Sequence, residues 1–483
     1  MKKHFIFLIT FLLFSGSMYS QQQKEQTIPD IQTLLLSYIE NDSELKNLTL
    51  AAQKAELSNE GVKIDNGFDV TLSSGTINIR VADDKNTITA KPSVKASLPS
   101  LSNLSVSAQT NINSSDTASI FSDTSLSVGV DIISSNAAMN KITLLKSRRS
   151  VLEAQRKVQN RAVTAEKEFY TSLKSILSSI NTIMSKKETL YTDTLDFEAK
   201  KIQGYSKSSS TYRQAELKVI SDEHDVESAI HSFIYECTVF YKKCGYDIKI
   251  DENTELMTFV PSGLSEGEVP DVKTFDKELY TEIESAEWTH KINSMERSAK
   301  KNYSLSANAG YTFDNSSTKS NSLDAGLSGT IGGVSLGAGV SLPAGNNSSQ
   351  SAPSFTLSAS ISPNVFRKNN ITDKQNELTE EQELLAIQAA YSSYKTKLVE
   401  LEQKIKSLNW EKESIEKNIT MYEDLEKDMA KLYKQGYVNK NDYLAAKNSL
   451  NSSVIKKIIN RIDFIIYSED ILLNFVNLKM ETE

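Results

Sequence analysis

The sequence predicts an α+β protein in which long antiparallel helical hairpins are joined to β-strands, the whole plan being laid down twice. Three observations predict it: two low-charge segments alternating with period two, two very long helical patterns of equal length, and the same order of elements in each half. Helix breakers are scarce, at 8 Pro and 18 Gly in 483 residues, which favours long helices.

The first element is a leader. Lys2-Lys3-His4 form a basic end, Phe5 to Phe14 an apolar run, and Ser15 to Ser20 a small, polar stretch, so residues 1–20 read as a secretory signal with competing cuts after Ser17 and Ser20. No cysteine follows the leader, which removes a lipid anchor. No apolar run of 18 or more residues occurs after residue 20, so a return to a membrane would have to use strands.

Ile28-Pro29-Asp30-Ile31 opens a helical pattern over 28–62, and Val269-Pro270-Asp271-Val272 opens a second over 270–302. Each is followed by a segment of different material. Residues 68–134 hold 10 charged residues and 303–363 hold 3, about 10% against 24% for the chain, and both are rich in Ser, Thr, Asn and Gly. Leu126, Val128, Val130 and Ile132 alternate in the first, and Phe355, Leu357, Ala359 and Ile361 in the second, giving strands with one apolar face. Turn signals at Asp83 to Asn86, Pro99 to Asn103 and Ser114 to Asp116, then at Asp314 to Lys319, Gly332-Gly333 and Gly345 to Ser349, allow four strands per copy; two strands with long hairpins is the alternative. A lipid-facing barrel fits this pattern, and a pair of soluble β-domains shares its alternation.

The long helical patterns cover 136–203 and 367–434, 68 residues each, or about 100 Å if unbroken. In the first, Ala162, Phe169, Ile176, Ile183, Leu190 and Phe197 recur every seven residues, the mark of a helix packed lengthwise on others. Each long pattern ends at a glycine, Gly204 or Gly436, followed by a polar patch and a returning helix, 206–243 or 437–480. Opening and returning helices together match one long helix, so each copy closes into rods of equal height. Tyr246 to Glu268, with Pro261, Gly263 and Gly267, reads as a linker between copies 21–245 and 269–483.

The net charge of −8 argues against a nucleic-acid partner. Cys237 and Cys244 make neither a disulfide scaffold nor a zinc site. Seven residues apart on one helix they lie too far apart to bridge, whereas a helix ending at Gly245 leaves a loop-closing disulfide open. His224, His231 and His290 belong to no metal motif, and no phosphate loop occurs, so neither an enzyme nor a cofactor is expected. Trp288 and Trp410 fall in helical stretches and read as helix packing.

With these residues in place the chain resembles the TolC family of outer-membrane efflux proteins. The resemblance covers the mature chain and rests on the duplication, the rod lengths and the stretch Gly436, Asp442, Leu444, Ala446 and Leu450; the first copy keeps Gly204 and Ala215-Glu216 about one residue out of step. It implies a membrane protein that assembles as a homotrimer, its strands closing one shared outer-membrane β-barrel and its hairpins forming a periplasmic α-barrel. It also implies a periplasmic adaptor and, through it, an inner-membrane pump. By position, Gly204, Tyr205, Gly436, Tyr437 and Val438 become adaptor-docking turns, and Asp442, Tyr433, Ser209 and Ser210 fall at the aperture. Val438 stands where some members have a basic residue, and Ser210 where an acid can stand, so a charged latch is not expected in its usual form. Asp442 reads equally as a helix N-terminal acid stabilised by the helix dipole. The function implied is a passive exit duct of a tripartite efflux or type I secretion system. The alternative is a secreted or surface coiled-coil structural protein with β-domains.

Overall fold

The computed structural model describes residues 29–476 apart from 83–84, 101–102, 114–120, 134, 252–253, 262–263, 265–268, 272–275, 301–302, 315–320 and 345–351. The leader at 1–20 lies outside the described residues, as do most of the turn signals. Seven helices are described: α1 Ile31–Glu40, α2 Ser43–Asp65, α3 Ser135–Ile202, α4 Ser210–Lys243, α5 Thr281–Ala299, α6 Pro363–Lys434 and α7 Lys440–Asn474. Ten strands accompany them: β1 Asp69–Ser73, β2 Asn78–Ala82, β3 Lys85–Ala90, β4 Ser93–Leu98, β5 Leu104–Asn113, β6 Phe121–Ile133, β7 Tyr303–Asp314, β8 Asn321–Ile331, β9 Val334–Pro343 and β10 Ser354–Ile361.

The long helices follow from composition. Neither α3, with 68 residues, nor α6, with 72, contains glycine, and the one proline, Pro363, is the first residue of α6, where its missing N–H costs nothing. The opening helices depart from expectation. The first is interrupted: Asn41 ends α1, and Asp42 starts α2 afresh by accepting the Leu45 N–H at 2.7 Å. The second begins only at Thr281 and has 19 residues, preceded by a 3₁₀ turn at Lys277–Leu279 whose Asp276 cap accepts from Glu278 N–H. Rods of equal height are therefore not found in the second copy, where 19 and 35 residues stand beside 72.

All strands belong to one antiparallel sheet in the order β1-β4-β5-β6-β7-β8-β9-β10. β2 pairs with β3 as β1 pairs with β4, so these four segments make two bent strands. The bend has a local cause. Pro92 lacks an N–H for the ladder, and opposite it Gly75 at φ +62 lies so close to Lys91 that a Cβ would sit 2.0 Å from its carbonyl oxygen. The sheet thus runs as eight strands, four from each copy. It is open: among the described residues β1 and β10 each have one neighbour.

The chain divides into two compact units. One holds residues up to Asn41, Glu168–Glu266 and Lys412–Ile462. In it the seven-residue repeat of α3 is buried at Phe169, Ile176 and Ile183, and Phe169 meets Tyr38 and Phe240 with ring centroids 5.6 and 5.1 Å apart. The linker docks here, with Phe259 edge-on to Phe233 at 5.3 Å and the Leu264 carbonyl accepting from Arg461 at 3.2 Å. Cys237 and Cys244 are both free and fully buried, because α4 runs on to Lys243 and keeps them two turns apart; burial pushes each thiol up to about 12. No loop-closing disulfide forms.

The other unit holds Asp42–Lys167, Gly267–Glu411 and residues from Asp463 onward, and includes the sheet. Beside it the helices lie in the order α2, α3, α5, α6. Arg161 of α3 holds Asp42 at 2.5 Å, and Gln155 bonds Glu56 at 2.9 Å. Buried Glu284 of α5 accepts from Arg149 and from both terminal nitrogens of Arg156, and Arg149 also lies over the Trp288 ring at 5.1 Å. Buried Glu383 of α6 accepts from Asn293 at 2.8 Å and from Arg297 at 2.9 Å, with His290 Nδ1 also at 2.9 Å. The C-terminal end of α7 closes the core through Tyr467 and Ile471, with Phe475 just beyond it. Trp410, expected to pack, is instead 72% exposed.

Burial alone would raise the Glu284 carboxyl, but the two arginines outweigh it and hold it at about 2. For Glu383 the Arg297 hydrogen bond is the main cause of a value again at about 2. Both values lie below the unfolded value of 4.5, so the stability they contribute is complete above 4.5 and is lost as pH falls from there toward 2. Glu284→Gln, which leaves two arginines facing a neutral group, is expected to cost about 3–5 kcal/mol at pH 7 and to flatten the acid limb of the stability curve. Thermal melts of both proteins between pH 7 and pH 3 check this.

Candidate functional site

Two structures carry functional potential: the sheet and the paired glycine turns. In the sheet, register aligns every strand. Val70, Ala96, Val106, Val128, Ala309, Ala325, Val340 and Phe355 form one unbroken row across all eight strands. The adjacent row is Thr71, Lys95, Ser107, Ser127, Gly310, Asp324, Ser341 and Ser354 on the opposite face. Hydroxyls pair across that second face, Ser107 with Ser127 at 2.7 Å, Ser304 with Thr330 at 2.7 Å and Ser306 with Ser328 at 2.9 Å. The first face carries no charged residue in any strand, and Leu72, Leu126, Leu327, Leu336 and Leu357 stand exposed on it. So large an uncovered apolar surface marks a site of contact with something apolar.

The glycine turns are two copies of one device. Gly204 and Gly436 have φ +76 and +79, the left-handed region that favours glycine. The N–H of Tyr205 donates to Lys200 and that of Gly204 to Lys201; likewise Tyr437 donates to Leu432 and Gly436 to Tyr433. This is the Schellman arrangement, which satisfies the last carbonyls of α3 and α6. Gly245-Tyr246 ends α4 in the same way, so a Gly-Tyr pair alone marks a helix end rather than a docking point.

The other site candidates stay within their own turns. Ser209 caps α4, accepting from Tyr212 N–H at 3.3 Å and donating to the Ser206 carbonyl at 2.7 Å; Ser210 is the first helical residue. Tyr433 stacks on Tyr443 across the second hairpin, centroids 5.4 Å apart and rings nearly parallel. Asp442 is exposed in the first turn of α7 and gives its N–H to the Asn439 side chain at 2.9 Å. Val438 is half-buried and Tyr437 fully open to solvent. No described hydrogen bond joins Tyr433 to Ser209 or Ser210. Sequence reasoning missed the cap Asn439 and the buried acids Glu284 and Glu383. The acids follow helical spacing no more than their exposed neighbours do, so only the fold could have found them.

Among the described residues no helix is long and apolar enough to cross a membrane, and no cluster of three or more His, Cys, Asp or Glu side chains is placed to hold a metal ion. Residues 34–264 match the model of the TP096X N-terminal domain, and residues 265–477 that of the TP096X C-terminal domain, the two running on without a gap. The chain belongs to the TP096X family. No curated protein matches the sequence of this TP096X chain. Among solved structures it is similar to a membrane protein from Pseudomonas aeruginosa, at 12% identity and TM-score 0.47 over 95% of this chain and 97% of the other. It is similar also to the Neisseria gonorrhoeae MtrE outer membrane channel, at 12% and 0.44 over 95% of both chains. A third is the outer membrane protein VceC from Vibrio cholerae, at 14% and 0.42 over 92% of this chain and 95% of that one.

A Cβ at Gly204 or Gly436 would meet nothing within 4 Å, so the glycine is required for its backbone alone. Gly204→Ala and Gly436→Ala are each expected to destabilise their hairpin by about 1–2 kcal/mol. Amide exchange in residues 197–215 or 428–446 checks this, with faster exchange confined to the altered hairpin.

Proposed function

We propose that this chain is a subunit of a passive exit duct in the outer membrane, of the TolC type. The observation that carries the reading is the row from Val70 to Phe355: an eight-stranded sheet, apolar on one whole face, polar on the other and open at both edges. Strands are the elements here suited to lipid, provided that the sheet closes. Their height fits. From Tyr303 to Phe313 on β7 the apolar face is bounded by aromatic rings ten steps apart, about 33 Å along the strand and about 25 Å when tilted by about 40°, which is the depth of the apolar band of such barrels. The small polar face then lines a watery lumen. A secreted coiled-coil protein with β-domains would need a second layer over the apolar face; that face is exposed.

In this reading three copies close one barrel, and α3, α4, α6 and α7 continue its lumen through the periplasm. The turns at Gly204 and Gly436 dock a periplasmic adaptor that links the duct to an inner-membrane pump, the source of energy. Three Asp442 carboxylates brought near the axis would favour cations over anions. No step is catalysed. The duct serves either tripartite efflux or type I secretion.

Purified protein reconstituted in planar bilayers should conduct, and Asp442→Asn should lower its preference for cations. Leu126→Arg, on the apolar face, is expected to destabilise insertion by about 2–4 kcal/mol, whereas Ser127→Arg, one residue on, should insert normally and shift ion selectivity. A mature protein that stays in water without detergent and never conducts would sink the duct.

A further inference from the structure

We infer that each subunit gives eight strands, not four, to the shared barrel, and that subunits join along a single seam where β10 and α6 of one copy meet β1 and α2 of the next. The inference rests on the duct reading above. Among the described residues the open edges are those of β10 and of the bent strand formed by β1 and β2, and an eight-strand meander leaves them antiparallel, so β10 of one copy continues onto β1 of another without breaking the alternation. β10 reads Ser-Phe-Thr-Leu-Ser-Ala-Ser-Ile, with no charge or proline to guard it.

The helices attached to these two edges are the outer members of the helix layer, and both present unpartnered apolar stripes of seven-residue spacing. Leu50, Leu57 and Ile64 of α2 are 64 to 73% exposed, and Ile371, Leu378 and Leu385 of α6 are 53 to 61% exposed. α2 runs into β1 and α6 runs out of β10, so across the seam they are antiparallel. An alignment that sets Leu57 opposite Leu378 also sets Lys54 opposite Glu381 and Glu60 within one residue of Lys374, all four exposed and complementary in charge. Closure of one chain on itself is disfavoured twice. Side chains must fill an eight-stranded barrel, and this polar face offers mostly serine and glycine; within a chain, α3 and α5 also separate α2 from α6. Three subunits then make a barrel of twenty-four strands, twice the circumference of a twelve-stranded one.

The test co-expresses two differently tagged chains, one carrying Leu57→Cys and the other Leu378→Cys, oxidises them in membranes, and images the extracted assembly in nanodiscs at a resolution that separates strands about 4.8 Å apart. The expected result is a disulfide-linked band bearing both tags and a barrel of twenty-four strands. A conducting trimer with twelve strands, or with no band bearing both tags, overturns the seam and leaves the duct standing. A soluble, non-conducting chain overturns the duct itself, and conductance of the same preparation separates the two failures.

Discussion

An apolar sheet face and an unpaired strand edge are both intolerable in water, and this chain has the two together. The row from Val70 to Phe355 lies on one exposed face of the sheet, and among the described residues the outer edges of β1 and β10 have no strand partner. Much else in the fold serves that condition. The polar face is built from side chains too small to fill a core, and the helices that flank the sheet do not cover it.

Beside the sheet the helices are held by buried ion pairs as well as by apolar clusters such as Ile142, Leu145, Ile292 and Ala299. Near the sheet the helix layer is fastened by two buried carboxylates, Glu284 between α3 and α5, held by two arginines, and Glu383 between α5 and α6, held by Arg297 and the Asn293 amide. A buried pair of this kind adds little over well-packed apolar side chains but is costly to break. Its value here is positional: bidentate contacts set the relation of neighbouring helices, and with it the spacing of the two ends at which the layer stops. Farther along α3, buried Phe169, Ile176 and Ile183 take over the packing.

Much of the architecture was legible because it depends on periodicity. The alternation around Leu126 and Phe355, the heptads from Ala162 to Phe197 and the glycines after each long helix are local signals, and local physics decides them. The interruption at Asp42 was missed because a capping side chain competes with helix continuation on nearly equal terms. The late start of α5 was missed because Pro270 looked like a helix opening, whereas Asp276 and the 3₁₀ turn intervene. Candidate site residues were legible only as turns. Gly204, Gly436 and Asp442 sit where spacing put them, but a role in docking or gating belongs to an assembly, and a single sequence encodes that through surfaces such as the open side of α2 rather than through a motif.

The centre of the sheet has a consequence for how the chain reaches its native state. Within each repeat the strands pair with near neighbours, but β6 and β7 join Val128 to Ala309 across the whole of α3, α4, the linker and α5. Closing so long a loop is slow, so two four-stranded ribbons form early and wait for each other. During that interval β6 and β7 are exposed inner edges, prone to premature association.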